Sequence, residues 1–135
     1  MILFTYTMAR PFNGFVIPIA MQSSYIRDYC KSNTFPFCLP VTEMCIPRSF
    51  VGLSEILSYN ANLKKDFHIV ACSIYVFEDL LHLKLPTSLH IHNVIIHSVL
   101  ENCVLSFDSC IETIRQSAFI RTLEDARTIS SFGIL

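Results

Sequence analysis

Apolar residues in this chain fall into short runs of two different periods, and the alternation of those periods predicts the fold. Ile2–Thr7 is rich in β-branched and aromatic residues and ends at a polar break, which predicts a first strand. Ala9–Gly14 follows as a loop, marked by Arg10-Pro11 and Asn13-Gly14. From Ile19 to Lys31 the period becomes helical. Ile19, Ile26, Tyr29 and Cys30 share one stripe, with Ser24, Arg27, Asp28 and Lys31 opposite. Pro18 stands close to the start of this helix, where a missing N–H costs little, and Asn33 ends it. Gln22 lands on the apolar stripe. It is either buried and hydrogen-bonded near the loop after the first strand, or at the edge of the stripe facing water.

Phe35–Val41 predicts a second strand, and its Pro36 and Pro40 place that strand at a sheet edge, where missing donors are tolerated. Pro47–Tyr59 predicts a second helix, with Phe50, Leu53, Ile56 and Leu57 as its stripe and Arg48 or Ser49 near its start. After the polar connection Asn60–Asp66, His68–Tyr75 is a nearly continuous apolar run, as in a parallel strand covered on both faces. Phe77–His92 predicts a loop or helical turn near Glu78-Asp79, then a short helix from Pro86 to Ile91 ended by Asn93. Val94–Leu100 is a fourth strand of the buried type. Ser106 is placed to cap a last helix starting at Phe107, whose stripe is Phe107, Ile111, Ile114 and Ala118. The stripe then moves to Phe119, Leu123 and Ala126, so the helix turns, breaks or meets a second surface. A dimer contact and continued packing are the alternatives for that surface.

The order βαβαβαβα predicts one α/β domain over residues 1–135, with a C-terminal helical segment from about 106. Its sheet is four-stranded and mostly parallel with helices on both faces, a flavodoxin-like or resolvase-like three-layer sandwich. Sites in such folds lie beyond the carboxyl ends of the strands, near the switch in strand order. Arg10, Asn13, Glu43, Ser73 or Tyr75, Glu101 and Asn102 land there. Glu43 and Glu101 would move protons and Arg10 would hold an anion. The alternative is an ion-pair network that closes the top of the sheet.

Composition narrows the function classes. Apolar residues make up 52 % of the 135 and charged residues 16 %, which leaves little polar material for the surface. Either much of the sheet is buried on both faces or a partner, such as a second copy, covers apolar surface. The net charge is −1 and no Lys/Arg block exists, so nucleic acid and anionic membranes have no electrostatic basis as partners. No apolar run approaches the roughly 20 residues of a membrane span. The start MILFTYTM lacks a basic n-region and a cleavage site, so a cytoplasmic location is expected. The six cysteines form no C-x-x-C and predict free, mostly buried thiols in a reducing compartment.

Cofactor chemistry has little footing. His90 and His92 flank a predicted helix end while His97 sits in a strand, so with His82 they do not converge on a metal. A nucleophilic Cys72–His97 pair on neighbouring strands runs against the usual inertness of buried strand thiols. Three glycines, none in G-x-G, leave no phosphate-cradling loop. Arg10 with Asn13-Gly14 could hold a lone phosphate or carboxylate beside the first helix's N-terminus. No cofactor is expected.

The segments ARPFNG, IP, IRDYC, LPVTE and LEN together resemble the sporadic carbohydrate cluster family, small bacterial proteins from surface-polysaccharide loci. The resemblance spans about residues 6 to 102 and is carried by Arg10, Pro11, Gly14, Pro18, Gln22, Arg27, Asp28, Tyr29, Cys30, Glu43, Glu101 and Asn102. It implies a role in building a surface glycan (capsule or lipopolysaccharide) or its precursor, without implying a reaction. It adds Gln22 and Arg27 to Arg10, Asn13, Ser73 and Asn102 as candidate ligand-binding residues. A more distant resemblance is to the catalytic domain of serine recombinases, through the strand, the arginine, Gln22 and Tyr29-Cys30. The nucleophilic serine is missing, because Arg10 stands between Ala9 and Pro11. The stretch Ser73–Asp79 has no arginine. That resemblance therefore implies the fold and not phosphoryl transfer.

Two function classes follow. One is a small enzyme acting on a sugar phosphate or nucleotide sugar, which requires a polar pocket at the strand ends. The other is a non-catalytic binding or assembly protein of the same pathway, which requires a shallow, ion-paired strand edge and apolar interface area.

Overall fold

The structure, a computed structural model, describes residues 2–46, 48–60, 66–82 and 93–131. The strands are β1 (Ile2–Met8), β2 (Val41–Glu43), β3 (Phe67–Ala71), β4 (Val94–Ser98) and β5 (Cys103–Ser106). The helices are α1 (Ile19–Ser32), α2 (Val51–Asn60) and α3 (Phe107–Ser131), with a 3₁₀ helix at Ile74–His82. The sheet order is β2-β1-β3-β4-β5, parallel except for the β4–β5 pair. This is the flavodoxin-like order, with its last strand reversed and the switch in order between β1 and β3. The sheet has five strands rather than four. Among the described residues no helix is long and apolar enough to cross a membrane.

Alternation along the strands sorts side chains onto two faces. Tyr6, Met8, Phe67, Ile69, Ala71, Val94 and Ile96 point to the side that α2, the 3₁₀ helix and the first turns of α3 cover. Leu3 and Val70 point to the other side, under Ile26 and Cys30 of α1. The predicted stripe of α2 is buried throughout. On α3 the stripe is buried at Phe107 and Ile114, half-buried at Ile111 and exposed at Ala118, and Cys110 is buried beside it. The helix then continues unbroken, and Phe119 and Leu123 stay 64 % and 47 % exposed.

Four boundaries differ from the sequence expectation. Phe35–Pro40 is not strand. Its prolines supply no donors, and the segment crosses the α1 side, held by Phe35 N–H to the Cys30 carbonyl and Thr5 Oγ1 to the Cys38 carbonyl. Pairing with β1 starts after Pro40, and β2 does lie at the edge. The strand expected at His68–Tyr75 stops at Ala71, and Ile74, Val76, Phe77 and Leu80 become the buried side of the 3₁₀ helix. A short apolar run fits either element. The fourth strand stops at Ser98, and a turn with Asn102 in the left-handed region (φ 50°) returns the chain as β5. Finally, α2 starts at Val51, because Arg48 is left-handed (φ 60°) and the carbonyls before the helix are held by Arg10. The helix expected over Pro86–Ile91 lies outside the described residues.

Candidate functional site

The strand ends beside the β1–β3 switch are closed by the protein's own groups. Glu43, the last residue of β2, is buried. It accepts hydrogen bonds from Gly52 N–H (2.8 Å), Leu53 N–H (3.1 Å) and the Tyr6 hydroxyl. Ser54 N–H bonds to the Phe50 carbonyl, so Phe50 holds the N-cap position of α2 without a side-chain acceptor of its own. Glu43 supplies that acceptor from the neighbouring strand, where the helix dipole also favours its charge. Burial, with Glu43 second, pushes the Tyr6 hydroxyl far above its usual range. Gly52 permits the approach. A Cβ there would lie 2.9 Å from Val41 Cγ1 and 3.4 Å from each Glu43 carboxylate oxygen.

Arg10 is the hub of the loop between β2 and α2. Its Nη1 donates to the carbonyls of Met44 (3.1 Å), Ile46 (3.2 Å) and Ser49 (2.8 Å). Its Nε pairs with Asp79 at 3.2 Å, and Phe50 lies against the guanidinium, 4.7 Å from its carbon. Glu101 accepts from Ser73 Oγ (2.6 Å) and Ile74 N–H (2.8 Å), while Ser73 Oγ accepts from Tyr75 N–H. These bonds turn the chain after β3 into the 3₁₀ helix. The Tyr75 hydroxyl reaches Ser117 of α3.

Asn13 (φ 51°) and Gly14 (φ 77°) form a two-residue reversal closed by Phe12 and Phe15, the I′ geometry that Asn-Gly favours. Asn13 N–H donates to Glu78, and its side-chain oxygen accepts from Arg121. Gln22 is fully buried and clamps the end of β1: Oε1 accepts from Met8 N–H, and Nε2 donates to the Met8 and Ile17 carbonyls. Of its two expected positions, the buried one holds.

The expected constellation does not assemble. Glu43 and Glu101 share no partner: the Glu43 carboxylate is bonded to the start of α2 and Tyr6, and the Glu101 carboxylate to the turn after β3. Arg10 and Asn13 point to different partners, and neither is engaged at the start of α1. Arg27 lies on the exposed side of α1 over the Phe37 ring, away from the strand ends. Asn102 is exposed in the β4–β5 turn. His90, His92 and the side chain of His82 lie outside the described residues. His97 does not face Cys72 as a base, since Tyr29 and His68 take both its ring nitrogens. Burial raises the Cys72 thiol to about 11.

Sequence reasoning missed three features. A small cleft between the 3₁₀ helix and α3 carries Glu78, Asp79, Arg121 and Tyr75. Strand β5 was too short to announce itself. The third is a hydrogen-bonded chain on the α1 side of the sheet: Tyr29 Oη to His97 Nδ1 at 2.7 Å, and His97 Nε2 to His68 Nδ1 at 2.8 Å. Phe35 packs edge-on against His97. Burial lowers the affinity of both imidazoles for a proton; neighbouring His68 adds to this at His97, whereas Asp66 opposes it at His68. With both rings neutral, either tautomer pattern places one proton in each contact. With both rings charged, two N–H groups would face each other. Two histidines on one face of neighbouring buried strands were the signal, together with Tyr29 on the helix stripe above them. No family model, curated protein or solved structure matches this chain.

Proposed function

We propose that this chain is a non-catalytic binding or assembly protein of bacterial surface-carbohydrate biosynthesis, working in the cytoplasm. The pathway and compartment come from the resemblance carried by Arg10, Gln22, Glu43 and Glu101. The preference over an enzyme of sugar-phosphate chemistry rests on one observation. The candidate catalytic groups at the strand ends are held by the chain itself: both Glu43 oxygens by a helix terminus and Tyr6, Glu101 through one oxygen by the turn after β3, and Arg10 through Nε and Nη1 by Asp79 and three carbonyls, with its Nη2 buried and unpartnered. An acid or base that must exchange protons with a substrate needs a free position within hydrogen-bond reach of it. Exposed Phe119, Ile120 and Leu123 on α3 supply the apolar area that an assembly role uses.

The test is incubation with hexose 1-phosphates and nucleotide sugars, followed by phosphorus NMR. The expected result is no turnover, with Glu101→Gln indistinguishable from the parent. Turnover that Glu101→Gln abolishes would establish the enzyme reading instead.

A further inference from the structure

The groove between the C-terminal half of α1 and the β4–β5 turn lies apart from the closed strand ends at the β1–β3 switch. It is a shallow groove, open to solvent, with a volume of about 580 Å³. Tyr25, Asp28, Tyr29, Ser32, Asn33 and Asn102 line it together with two valines, Val99 and Val104. We propose that this groove binds an uncharged polyhydroxylated ligand, a saccharide by chemical class, stacked on Tyr25 and Tyr29. The inference deepens the binding role proposed above and rests on it.

Three observations carry the assignment. The first is charge. Asp28 is the only formally charged side chain among the described residues lining the groove, and α1 ends there with its partial negative charge, which Lys31 in the last turn offsets in part. Phosphates and nucleotides are disfavoured at such a place. The second is the combination of groups. Tyr25 and Tyr29 stand one helical turn apart on α1 and both line the groove. The polarised C–H face of a pyranose stacks on the electron-rich face of such a ring. Asp28, Ser32, Asn33 and Asn102 offer acceptors and donors in the mixture that hydroxyl groups need. A quaternary ammonium ion calls instead for rings on several sides, which this groove does not provide.

The third is preorganisation. The Tyr29 hydroxyl is tied to His97 and through it to His68, and its ring packs against Phe35. Binding therefore loses little rotamer freedom at Tyr29. A buried polar chain is a costly way to hold a helix on a sheet where an apolar contact would serve. Here it also holds a ring at the groove wall in one orientation.

The experiment is an amide-resonance titration of the full chain with methyl glucoside, methyl galactoside and methyl N-acetylglucosaminide, with choline and glucose 1-phosphate as charged comparators. At least one methyl glycoside is expected to shift residues 28–33 and 99–104 saturably, with a Kd in the millimolar range. Tyr25→Ala is expected to weaken that binding about tenfold and Tyr25→Phe to restore it. The melting temperature should hold in both, since Tyr25 is 38 % exposed. The inference is overturned if no glycoside shifts these residues up to about 100 mM, a hundred times a millimolar Kd. It is also overturned if Tyr25→Ala binds as the parent does, or if choline or glucose 1-phosphate binds more tightly than every glycoside. Turnover of glucose 1-phosphate would instead refute the binding role, whereas glycosides that leave the groove unshifted refute only the groove.

Discussion

Replacing Glu43 tests directly whether its carboxylate is a structural cap or a reactive group. Glu43→Ala would leave Gly52 N–H, Leu53 N–H and the Tyr6 hydroxyl without their acceptor, and both Leu53 and Tyr6 are fully buried. Each orphaned buried donor costs about 1–3 kcal/mol, so the variant loses roughly 3–6 kcal/mol after partial relaxation. That is a large part of the roughly 5–15 kcal/mol by which a domain is stable, and the alanine variant is expected to sit at the edge of unfolding. Glu43→Gln is the informative change, because it keeps the volume. Its single oxygen can serve one N–H and its amide can donate to Tyr6, but the second N–H then faces an NH₂ group. The expected loss is about 1–3 kcal/mol. Tyr6→Phe should cost about 1 kcal/mol, since Phe keeps the stacking on Phe77 (5.5 Å between centroids) and Glu43 keeps both backbone donors. The two changes should be non-additive by at least about 0.5 kcal/mol, because they share one hydrogen bond. Urea unfolding with an unchanged m-value measures all four corners of the cycle. A Glu43→Gln variant within about 0.5 kcal/mol of the parent, with no coupling to Tyr6→Phe, would refute the capping argument. The buried carboxylate would then need a chemical reason to be there.

Gly52→Ala should lose about 1–3 kcal/mol, although alanine favours an ordinary helix, because Val41 Cγ1 would stand 2.9 Å from the new Cβ; equal or higher stability in urea would show that the approach of β2 to α2 is not tight. In the folded protein a disulfide reagent should modify exposed Cys38 and Cys45 first and half-buried Cys103 more slowly. Buried Cys30, Cys72 and Cys110 should react only on unfolding, with burial holding the Cys72 thiol at about 11 and the Cys110 thiol at about 12; rapid labelling of either would refute this packing. The histidine chain makes stability depend on pH. The folded state lowers the proton affinity of His97 and His68 below the unfolded value near 6.5, so the unfolded state binds more protons once the pH drops past that value. Stability should be level above pH ~7.5 and fall between pH ~7 and ~5.5, ahead of most carboxylate titration; urea midpoints unchanged across that window would contradict the burial of the pair.

What could be read in the sequence depended on whether a residue's environment was local. The period-2 and period-3.6 runs located β1, α1, the stripe of α2 and the start of α3 at Phe107, because those elements bury one face of a contiguous segment. Ser106 caps α3 through its own chain, accepting from Ser109 N–H, and it was visible for that reason. The polar groups at the strand ends are different. Glu43 acts on α2 from another strand, Glu101 on the turn after β3, and Arg10 on a loop more than thirty residues away. A carboxylate known only by its place in the chain cannot be distinguished from an acid/base group until its donors are known. One sign was nonetheless present. A helix that starts at Phe50-Val51 has no side-chain oxygen at its N-cap, and a glycine follows at the second helical position. A helix terminus in that state must find an acceptor elsewhere if it is buried, and the glycine leaves room for one to approach. The nearest preceding carboxylate in the chain is Glu43. The same reasoning applies to β5: Glu101-Asn102 between Val94–Leu100 and Cys103–Ser106 is a reversal between two apolar segments, and only the shortness of the second hid the strand. The buried Glu43 is thus accounted for by a helix end, while the α1 groove, with its anchored tyrosine, presents hydrogen-bonding groups that no helix end takes up.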